Sequence, residues 1–363
     1  MASEKNIEKI NSEEKITMEN KIKLGIIFGG KSGEHEVSLQ SAASVIRVVN
    51  KDKYELVFLG ITKDGEWKIF DGSEDAIEDG SWEAAAEPFN PGDIKKVIDF
   101  ALPIIHGPNC EDGKLQGFFE TMDIPYGGCG VLASAVAMDK LLARDVFIKN
   151  GLPMCKHVGL FRSEYEQDAE AAIAKVEDAL GYPNFVKPAN LGSSVGISKA
   201  HNREELVAAL DLAFSYDKRV IVEEFVNCRE LETAILGNEN PQAAVVGEIL
   251  PSEEFYDYKA KYLDDGASKL CIPAQISEET SRKIREYACR AYSAIDGEGF
   301  ARVDFFIDKD SGKIYLNEIN TIPGFTKISM FPKLWEAAGV KYQDTIERII
   351  ELGYERYNAK NNR

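Results

Sequence analysis

The stretch GFARVDFFIDKDSGKIYLNEIN, residues 299–320, predicts two antiparallel strands joined by the turn DKDSG. If the chain reverses at the middle of that turn, Asp304 faces Glu318, and Arg302 faces Asn320. Side chains alternate between the two faces of a strand, so all four lie on one face of the predicted hairpin. This stretch therefore predicts a polar cluster on a sheet.

The two facing carboxylates predict a divalent-cation site. Directly opposed Cβ atoms lie about 4.5–5.5 Å apart, where like charges repel unless something neutralises them. Asp304, Glu318 and Asn320 offer the hard oxygen ligands that Mg²⁺ takes beside substrate phosphates. The alternative is a solvated face with a surface pair between arginine and carboxylate. Apolar neighbours indicate a buried sheet and favour the metal site: Phe305, Phe306, Ile307, Ile314, Tyr315, Leu316 and Ile319.

The segment TIPGFTKIS, residues 321–329, follows the hairpin directly. Gly324 comes after a proline, and without a side chain its amide can approach a ligand closely. Ser329 offers a hydroxyl to an anionic group. We expect a second ligand-binding element here, beside the predicted metal site.

The segment VKPANLGSSVGISK, residues 186–199, places Lys187 at the end of a strand-like run beside a glycine–serine loop. A lysine supplies a point charge, and loop amides and hydroxyls can wrap phosphates that a metal bridges. In VIVEEFV, Phe225 and Val226 would flank an adenine base, while Glu223 accepts from its exocyclic amine. None of these segments is specific alone, but together they predict a nucleoside triphosphate site.

Composition narrows the possible partners. The chain has 363 residues and a net charge of −18, which argues against nucleic acid and anionic membranes. No run of about 18 apolar residues predicts a transmembrane helix. The six cysteines form no CxxC pair, which is typical of reduced thiols in a cytosol. We expect a cytoplasmic protein that binds small molecules.

The element pattern predicts two or three subdomains within one chain. We expect a charged leader over residues 1–20, a parallel-sheet domain over 21–128, and an antiparallel domain over 129–228 that begins with one helix over 134–150. A third unit, 229–358, contains longer strands and two closing helices. Within it, the polar, tyrosine-rich residues 251–269 form a loop long enough to be a lid.

Residues 25–32, GIIFGGKS, match the P-loop pattern, but their context rejects it. A phosphate-binding loop needs free backbone amides, and residues 25–28 are instead the body of an apolar strand. Only Gly29 and Gly30 can form a turn. Glu34 then lies near a helix start, where it serves as a cap or meets a ligand amine. The residues alone leave both roles open.

The longer motifs resemble the ATP-grasp superfamily and, within it, the D-alanine–D-alanine ligase family. The similarity covers about Lys21 to Tyr354. It is carried by IIFGGKSGEHEVSLQSA, HGPNCEDGKLQG, SAVAMDK, FVKPANLGSSVGISK, VEEF, FYDYKAKY, ARVDFF and LNEINTIPGFTKISMFP. The resemblance implies a mixed α/β and α+β fold of three subdomains, with ATP between the central and C-terminal sheets.

The resemblance also implies the reaction and the nucleotide contacts. The family phosphorylates the carboxylate of one D-alanine and joins it to the amine of a second, for peptidoglycan. Two Mg²⁺ ions, for which Mn²⁺ can substitute, would lie on Asp304, Glu318 and Asn320. The implied ATP contacts are Lys140, Lys187, Ser194 and Lys261 with phosphates, Glu223, Glu224, Phe225 and Val226 at the adenine, and Glu230 at the ribose.

For the amino acids, the resemblance implies that Glu34 binds the first ammonium and that His106 lies near the first carboxylate. Arg302 and the Gly324 amide would stabilise the tetrahedral oxyanion. The carboxylate of the second D-alanine would be bound by Ser329 and Met330. The lid would close through a triad of Tyr262, Ser193 and Glu34.

One position departs from the family pattern, which commonly has glycine where this chain has Cys110. A positive φ there would suit cysteine poorly, whereas Asn109 tolerates it. The thiol is either exposed near the site or packed, and we favour packing.

Four other functions compete with D-alanine ligation. A ligase for D-serine or D-lactate is disfavoured by Tyr262 and by SMFP, where D-serine ligases resemble S-R-Y-P. Another ATP-grasp carboxylate–amine ligase is a weaker alternative. A non-catalytic regulator is disfavoured by the intact polar cluster, and a P-loop NTPase would need Lys31. The family is often dimeric, so we expect a homodimer.

Overall fold

The computed structural model describes residues 21–192, 195–251 and 268–361 of the chain. The described strands form three sheets, two of five strands and one of four. Among these residues no helix has the length and apolar character needed to cross a bilayer.

The first sheet has the strand order β4-β3-β2-β1-β5. Its elements are β1 Ile22–Gly29, α1 His35–Val48, β2 Tyr54–Ile61, β3 Trp67–Phe70, α2 Glu74–Glu78, α3 Trp82–Ala85, β4 Glu87–Pro88, β5 Phe100–Pro103 and α4 Lys114–Thr121. β1 pairs parallel with β2 and β5, as predicted. The prediction of a purely parallel sheet is wrong at the edge, because β3 pairs antiparallel with β2 and β4. The link from β2 to β3 is too short for a crossover, so it makes a hairpin.

The turn after β1 confirms that the P-loop match is not a phosphate site. Gly29 and Gly30 have φ values of +86° and +98°. The Gly29 amide donates to the Ser38 hydroxyl at 2.8 Å, and the Gly30 amide donates to the Ile61 carbonyl at 2.7 Å. These two amides are therefore engaged in turning the chain into α1.

The central sheet has the order β6-β9-β7-β8, and every pair in it is antiparallel, as predicted. Its elements are α5 Val131–Met138, α6 Lys140–Lys149, β6 His157–Phe161, α7 Arg162–Gln167, α8 Ala169–Leu180, β7 Asn184–Pro188, β8 Ser198–Ala200, α9 Arg203–Tyr216 and β9 Arg219–Glu224. The single helix predicted over 134–150 is wrong. Asp139 is extended there and caps α6 by accepting the Leu142 amide at 3.0 Å.

The third sheet, β12-β11-β10-β13-β14, contains the hairpin predicted over residues 299–320. Its elements are β10 Cys228–Leu236, β11 Gln242–Pro251, β12 Ser268–Cys271, α10 Glu278–Ala294, β13 Phe300–Asp308, β14 Ile314–Asn320, α11 Met330–Ala337 and α12 Tyr342–Asn361. In the β13–β14 pair, Asp304 faces Glu318 and Arg302 faces Asn320, which confirms the predicted register. A bulge at Asn317 follows, because Phe305 pairs with Leu316.

The first and third sheets share one hydrophobic core. The rings of Phe300, Phe325 and Phe331 pack with centroids 5.3–5.5 Å apart. From α12, the Tyr354 ring lies 4.9 Å from Phe100 of β5. This packing brings the loop after β14 against α1.

Candidate active site

One cavity collects predicted residues from all three units of the chain. Glu34, Lys140, Arg302, Glu318 and Asn320 line it, although they are separated by up to 286 positions in the sequence. The rest of its lining is Glu111, Ala137, Met138, Leu191, Gly192, Ile319 and Thr321. Five charged side chains of both signs around one space suit a ligand that is itself charged.

The β13–β14 hairpin forms the acidic wall of the site. Arg302 donates to both Asp304 oxygens at 2.7 Å, and its Nε lies 3.0 Å from a Glu232 oxygen. Asp304 is only 9% exposed, so the polar face is buried rather than solvated. The arginine–carboxylate pair that we considered as an alternative does form, within the same cluster as Glu318.

The donor set of the hairpin fits a divalent cation. Asp304 and Glu318 are direct Cα partners, and the Asn320 amide oxygen accepts the Ile322 N–H at 3.0 Å. A carboxylate offers about four lone-pair sites, so the bonds from Arg302 leave further acceptor capacity on Asp304. Two carboxylates and an amide oxygen are hard ligands of the kind that Mg²⁺ and Mn²⁺ prefer.

A buried ion cluster adjoins the cavity next to Lys140, although its members Lys187, Arg144 and Glu223 do not line that space. Lys187 donates to Glu223 at 2.7 Å, and Arg144 forms a second ion pair with the same carboxylate. Burial opposes ionisation of Glu223, but the two cations outweigh it and lower the pKa of Glu223 to about 2. Lys140 donates to the Leu191 carbonyl at 2.5 Å. Burial lowers the pKa of Lys140, while the Glu318 carboxylate acts in the opposite direction.

The segment predicted to bind adenine lies at the end of β9. Phe225 is 37% exposed, with the Lys199 ammonium 4.0 Å from its ring centroid, and Val226 is half-buried. The Glu224 carboxylate accepts the Lys156 amide at 2.7 Å, so that side chain is directed to the backbone before β6. Glu230 lies on β10, opposite Phe306. The adenine and ribose contacts stay predictions.

Glu34 directly precedes α1 and is 8% exposed, but its side chain caps no helix amide. A Cβ on Gly107 would lie 2.5 Å from a Glu34 oxygen, and one on Gly192 would lie 3.6 Å away. The carboxylate is therefore directed into the cavity, which favours the ligand-amine role over the capping role. Burial, and the nearby Glu34 carboxylate, raise the pKa of Glu111 on the same wall.

His106 is buried behind the cavity, and both of its ring nitrogens have protein partners. Nδ1 lies 2.9 Å from the Ile322 carbonyl, and Nε2 lies 3.0 Å from the Ser41 hydroxyl. His106 is not among the residues that line the cavity. The expected direct contact with a substrate carboxylate would require one of these bonds to open.

The loop between β14 and α11 contains the remaining predicted residues. A Cβ on Gly324 would lie 2.6 Å from the Ser329 hydroxyl, so glycine allows this close approach. The Ser329 hydroxyl accepts the Thr326 amide at 3.0 Å. The Met330 side chain is buried and meets Gly247 of β11, so only its backbone amide is suitable for binding a carboxylate.

The alternative that the Cys110 thiol is exposed is wrong, and the favoured prediction that it is packed is confirmed. Asn109 has a φ of +77°, and Cys110, which follows it, is fully buried. Burial raises the pKa of its thiol. Four predicted residues lie outside the described part of the chain, as does 252–267 of the lid: Ser193, Ser194, Lys261 and Tyr262.

Sequence reasoning missed three residues of this region. Arg144 follows Lys140 by four positions, so the two share a helix face, a signal that was present in the sequence. Glu111 belongs to the segment HGPNCEDG, in which only Cys110 was considered as a candidate. Ser41 had no local signal, since one of its partners is 284 positions away.

The chain is similar to known proteins over most of its length. Residues 23–129 match the family model "D-ala D-ala ligase N-terminus", and residues 146–351 match "D-ala D-ala ligase C-terminus". The D-alanine–D-alanine ligase of Acetivibrio thermocellus is 48% identical over 94% of this chain and 98% of that protein. The D-alanine–D-alanine ligase of Thermoanaerobacter sp. is 50% identical over 94% of this chain and 99% of that protein.

Two solved structures have the same overall fold. A D-Ala:D-Ser ligase from Enterococcus faecalis is 38% identical, with a TM-score of 0.83 over 92% of this chain and 100% of that one. The D-alanine–D-alanine ligase from Coxiella burnetii is 32% identical, with a TM-score of 0.83 over 94% of this chain and 96% of that one.

Proposed function

Because the chain belongs to the D-alanine–D-alanine ligase family, with its ATP-grasp fold, we propose that it joins two D-alanine molecules at the expense of ATP. The γ-phosphoryl group passes to a carboxylate oxygen of the first D-alanine, giving an acyl phosphate and ADP. The amine of the second bonds to the acyl carbon and loses its extra proton. The carbon–oxygen bond to phosphate then breaks, releasing inorganic phosphate and D-alanyl-D-alanine.

The observation that carries this proposal is the cavity that Glu34, Lys140 and the acidic hairpin line together. Glu34 at one end gives an ammonium group a partner, and Lys140 faces the space beside Glu318. A substrate carboxylate between them would lie beside Arg302. Charge that develops on the carbonyl oxygen in the tetrahedral state would be stabilised by Arg302 and the Gly324 amide.

Divalent cations would bind to Asp304, Glu318 and Asn320, whose donor chemistry fits Mg²⁺ or Mn²⁺. When bound, such ions would neutralise phosphate charge. We propose two ions at this wall. Lys187 would contribute a point charge to the same phosphates from β7.

D-alanine is proposed as the second substrate, ahead of D-serine. Met330 lies among apolar side chains and is 6% exposed. Such a neighbourhood gives a substrate hydroxyl no polar partner from that side chain, and an unpaired buried hydroxyl costs binding free energy. The curated relatives that are 48–50% identical are D-alanine–D-alanine ligases, while the solved D-Ala:D-Ser ligase is 38% identical.

The decisive experiment measures ADP formed by the purified chain with Mg²⁺, ATP and D-alanine, with the product identified by mass. We expect ADP release that depends on D-alanine and the dipeptide as product. Parallel reactions add D-serine or D-lactate as the second substrate. Absence of ADP with D-alanine alone would refute the proposal, and binding of ATP without turnover would indicate a regulator instead.

The remaining partners belong to the same proposal. The enzyme would act in the cytoplasm, where ATP is available, with lid residues 251–269 excluding water from the acyl phosphate. We propose a homodimer, which sedimentation analysis of the purified chain would test. The net charge of −18 argues against nucleic acid as a partner.

A further inference from the structure

Three buried serines follow one face of α1 at intervals of three residues: Ser38, Ser41 and Ser44. Buried hydroxyls need partners, and these three bond to different parts of the molecule. Ser38 bonds only within the first sheet, where it accepts the Gly29 amide and donates to the Ile104 carbonyl. Ser41 bonds to the loop after β14, whereas Ser44 bonds to Tyr342 of α12.

Ser41 connects that loop to His106. The Ser41 hydroxyl accepts the Phe325 amide at 3.3 Å and lies 3.0 Å from His106 Nε2. Since the hydroxyl oxygen accepts from Phe325, its hydrogen is available for Nε2. The proton of the neutral imidazole is then on Nδ1, which donates to the Ile322 carbonyl at 2.9 Å.

The carbonyl group of Phe325 is bound by a residue of α12. The Tyr342 hydroxyl donates to the Phe325 carbonyl at 2.6 Å, and Ser44 hydrogen-bonds the Tyr342 phenol. The backbone of Ile322–Phe325 is thus bonded at Ile322, at the Phe325 amide and at the Phe325 carbonyl. The contacts come from α1, His106 and α12. Within the described residues, the Gly324 amide between these points has no acceptor.

We propose that Ser41 and Tyr342 are positioning residues that fix the Gly324 amide where the tetrahedral oxyanion forms. The inference rests on the proposed function, because it assigns these residues to the ligation step. Neither residue lines the cavity, so neither contacts the reacting atoms. Their hydrogen bonds fix the position of the Gly324 amide. That position matters, because small misplacements of catalytic groups cost about 10²-fold in rate.

Ser41→Ala and Tyr342→Phe provide the test, with Ser38→Ala as the matched control. Ser38 and Ser41 are both fully buried on α1, but the hydroxyl of Ser38 bonds to Gly29 and Ile104 rather than to the loop. We expect kcat to fall about 10- to 100-fold in Ser41→Ala and in Tyr342→Phe, within the range seen when an oxyanion donor is lost. The KM for ATP should stay within about twofold, because the affected bond forms only in the transition state.

A tetrahedral phosphinate analogue of the dipeptide separates positioning from a purely structural role. Its affinity should fall by the same factor as kcat, while D-alanine affinity does not. Ser38→Ala should lower the melting temperature yet retain kcat within about threefold. An unchanged kcat in Ser41→Ala, an equal loss in Ser38→Ala, or a change in KM alone would overturn the inference.

Hydrogen exchange at the Phe325 amide tests the inference independently of activity. We expect exchange to be at least about tenfold faster in Ser41→Ala than in the wild type, and unchanged in Ser38→Ala. Wild-type protein that forms no ADP with D-alanine would refute the proposed function, even with this exchange result. Active wild-type protein with equal exchange in both variants would refute the positioning role alone.

Discussion

Replacing Arg144 by methionine should destabilise the protein by about 3 kcal/mol. Arg144 and Glu223 are each 3% exposed, and Arg144 also donates to the Asn317 carbonyl at 3.3 Å. The substitution leaves the Glu223 carboxylate buried with Lys187 as its remaining close cation. A buried charge that loses a partner costs about 3–5 kcal/mol.

The pKa of Glu223 gives a similar magnitude. The pKa falls from an ordinary 4.5 to about 2. Each unit of pKa corresponds to about 1.4 kcal/mol, so the folded protein stabilises the ionised carboxylate by roughly 3 kcal/mol. Because the pKa is lower in the folded protein, this stabilisation is complete above pH 4.5. It is lost as the pH falls towards about 2. Arg144→Met should lose much of this dependence of stability on pH.

Urea unfolding at pH 7 and at several values below pH 4.5 measures both effects. Arg144→Lys is the matched control, since it retains the charge but not the planar fork that reaches Glu223 and Asn317 together. We expect its stability to lie between those of the wild type and Arg144→Met. Wild-type stability at pH 7 in Arg144→Met would refute the argument that this ion pair stabilises the site.

Three further changes test other parts of the account. Glu318→Gln should leave a folded protein whose ligation rate falls by at least about 10², because it removes one metal-binding charge; wild-type turnover at ordinary Mg²⁺ would contradict the metal assignment. Gly29→Ala should lower the melting temperature markedly, since φ is +86° and a Cβ would lie 2.2 Å from the Ile61 carbonyl oxygen; an unchanged melting temperature would disprove this. Tyr262→Phe should reduce kcat less than Glu318→Gln does, through lid closure, and an equal loss would assign Tyr262 to the chemistry itself.

The hairpin could be predicted because its register is a local property. A short turn between two apolar strands predicts a hairpin, and alternation then places Arg302 on the same face as Asp304. The register of the polar pairs also depends on the bulge at Asn317, which lies between them and the turn. Nearer the turn Phe305 pairs with Leu316, and the extra residue then brings Asp304 opposite Glu318. The glycine turn after β1 was predictable for the same reason, since only glycine adopts such φ values readily.

Other features depend on contacts that a local pattern cannot contain. The break between α5 and α6 arises where Asp139 caps a new helix, although the surrounding residues favour a continuous one. His106 was expected near a substrate because its motif resembles a family motif. Its actual partners, Ser41 and Ile322, are 65 and 216 positions away. Tertiary packing alone brings those groups together.

We propose that the hairpin and the basic cluster together bind a nucleotide phosphate against an amino acid carboxylate. Incubation with ATP, Mg²⁺ and D-alanine labelled with ¹⁸O in its carboxylate tests this claim directly. Mass spectrometry of the inorganic phosphate should show one ¹⁸O atom, transferred when the carbon–oxygen bond of the acyl phosphate breaks. Phosphate without ¹⁸O, released together with ADP, would show that the carboxylate is never phosphorylated and would contradict the account.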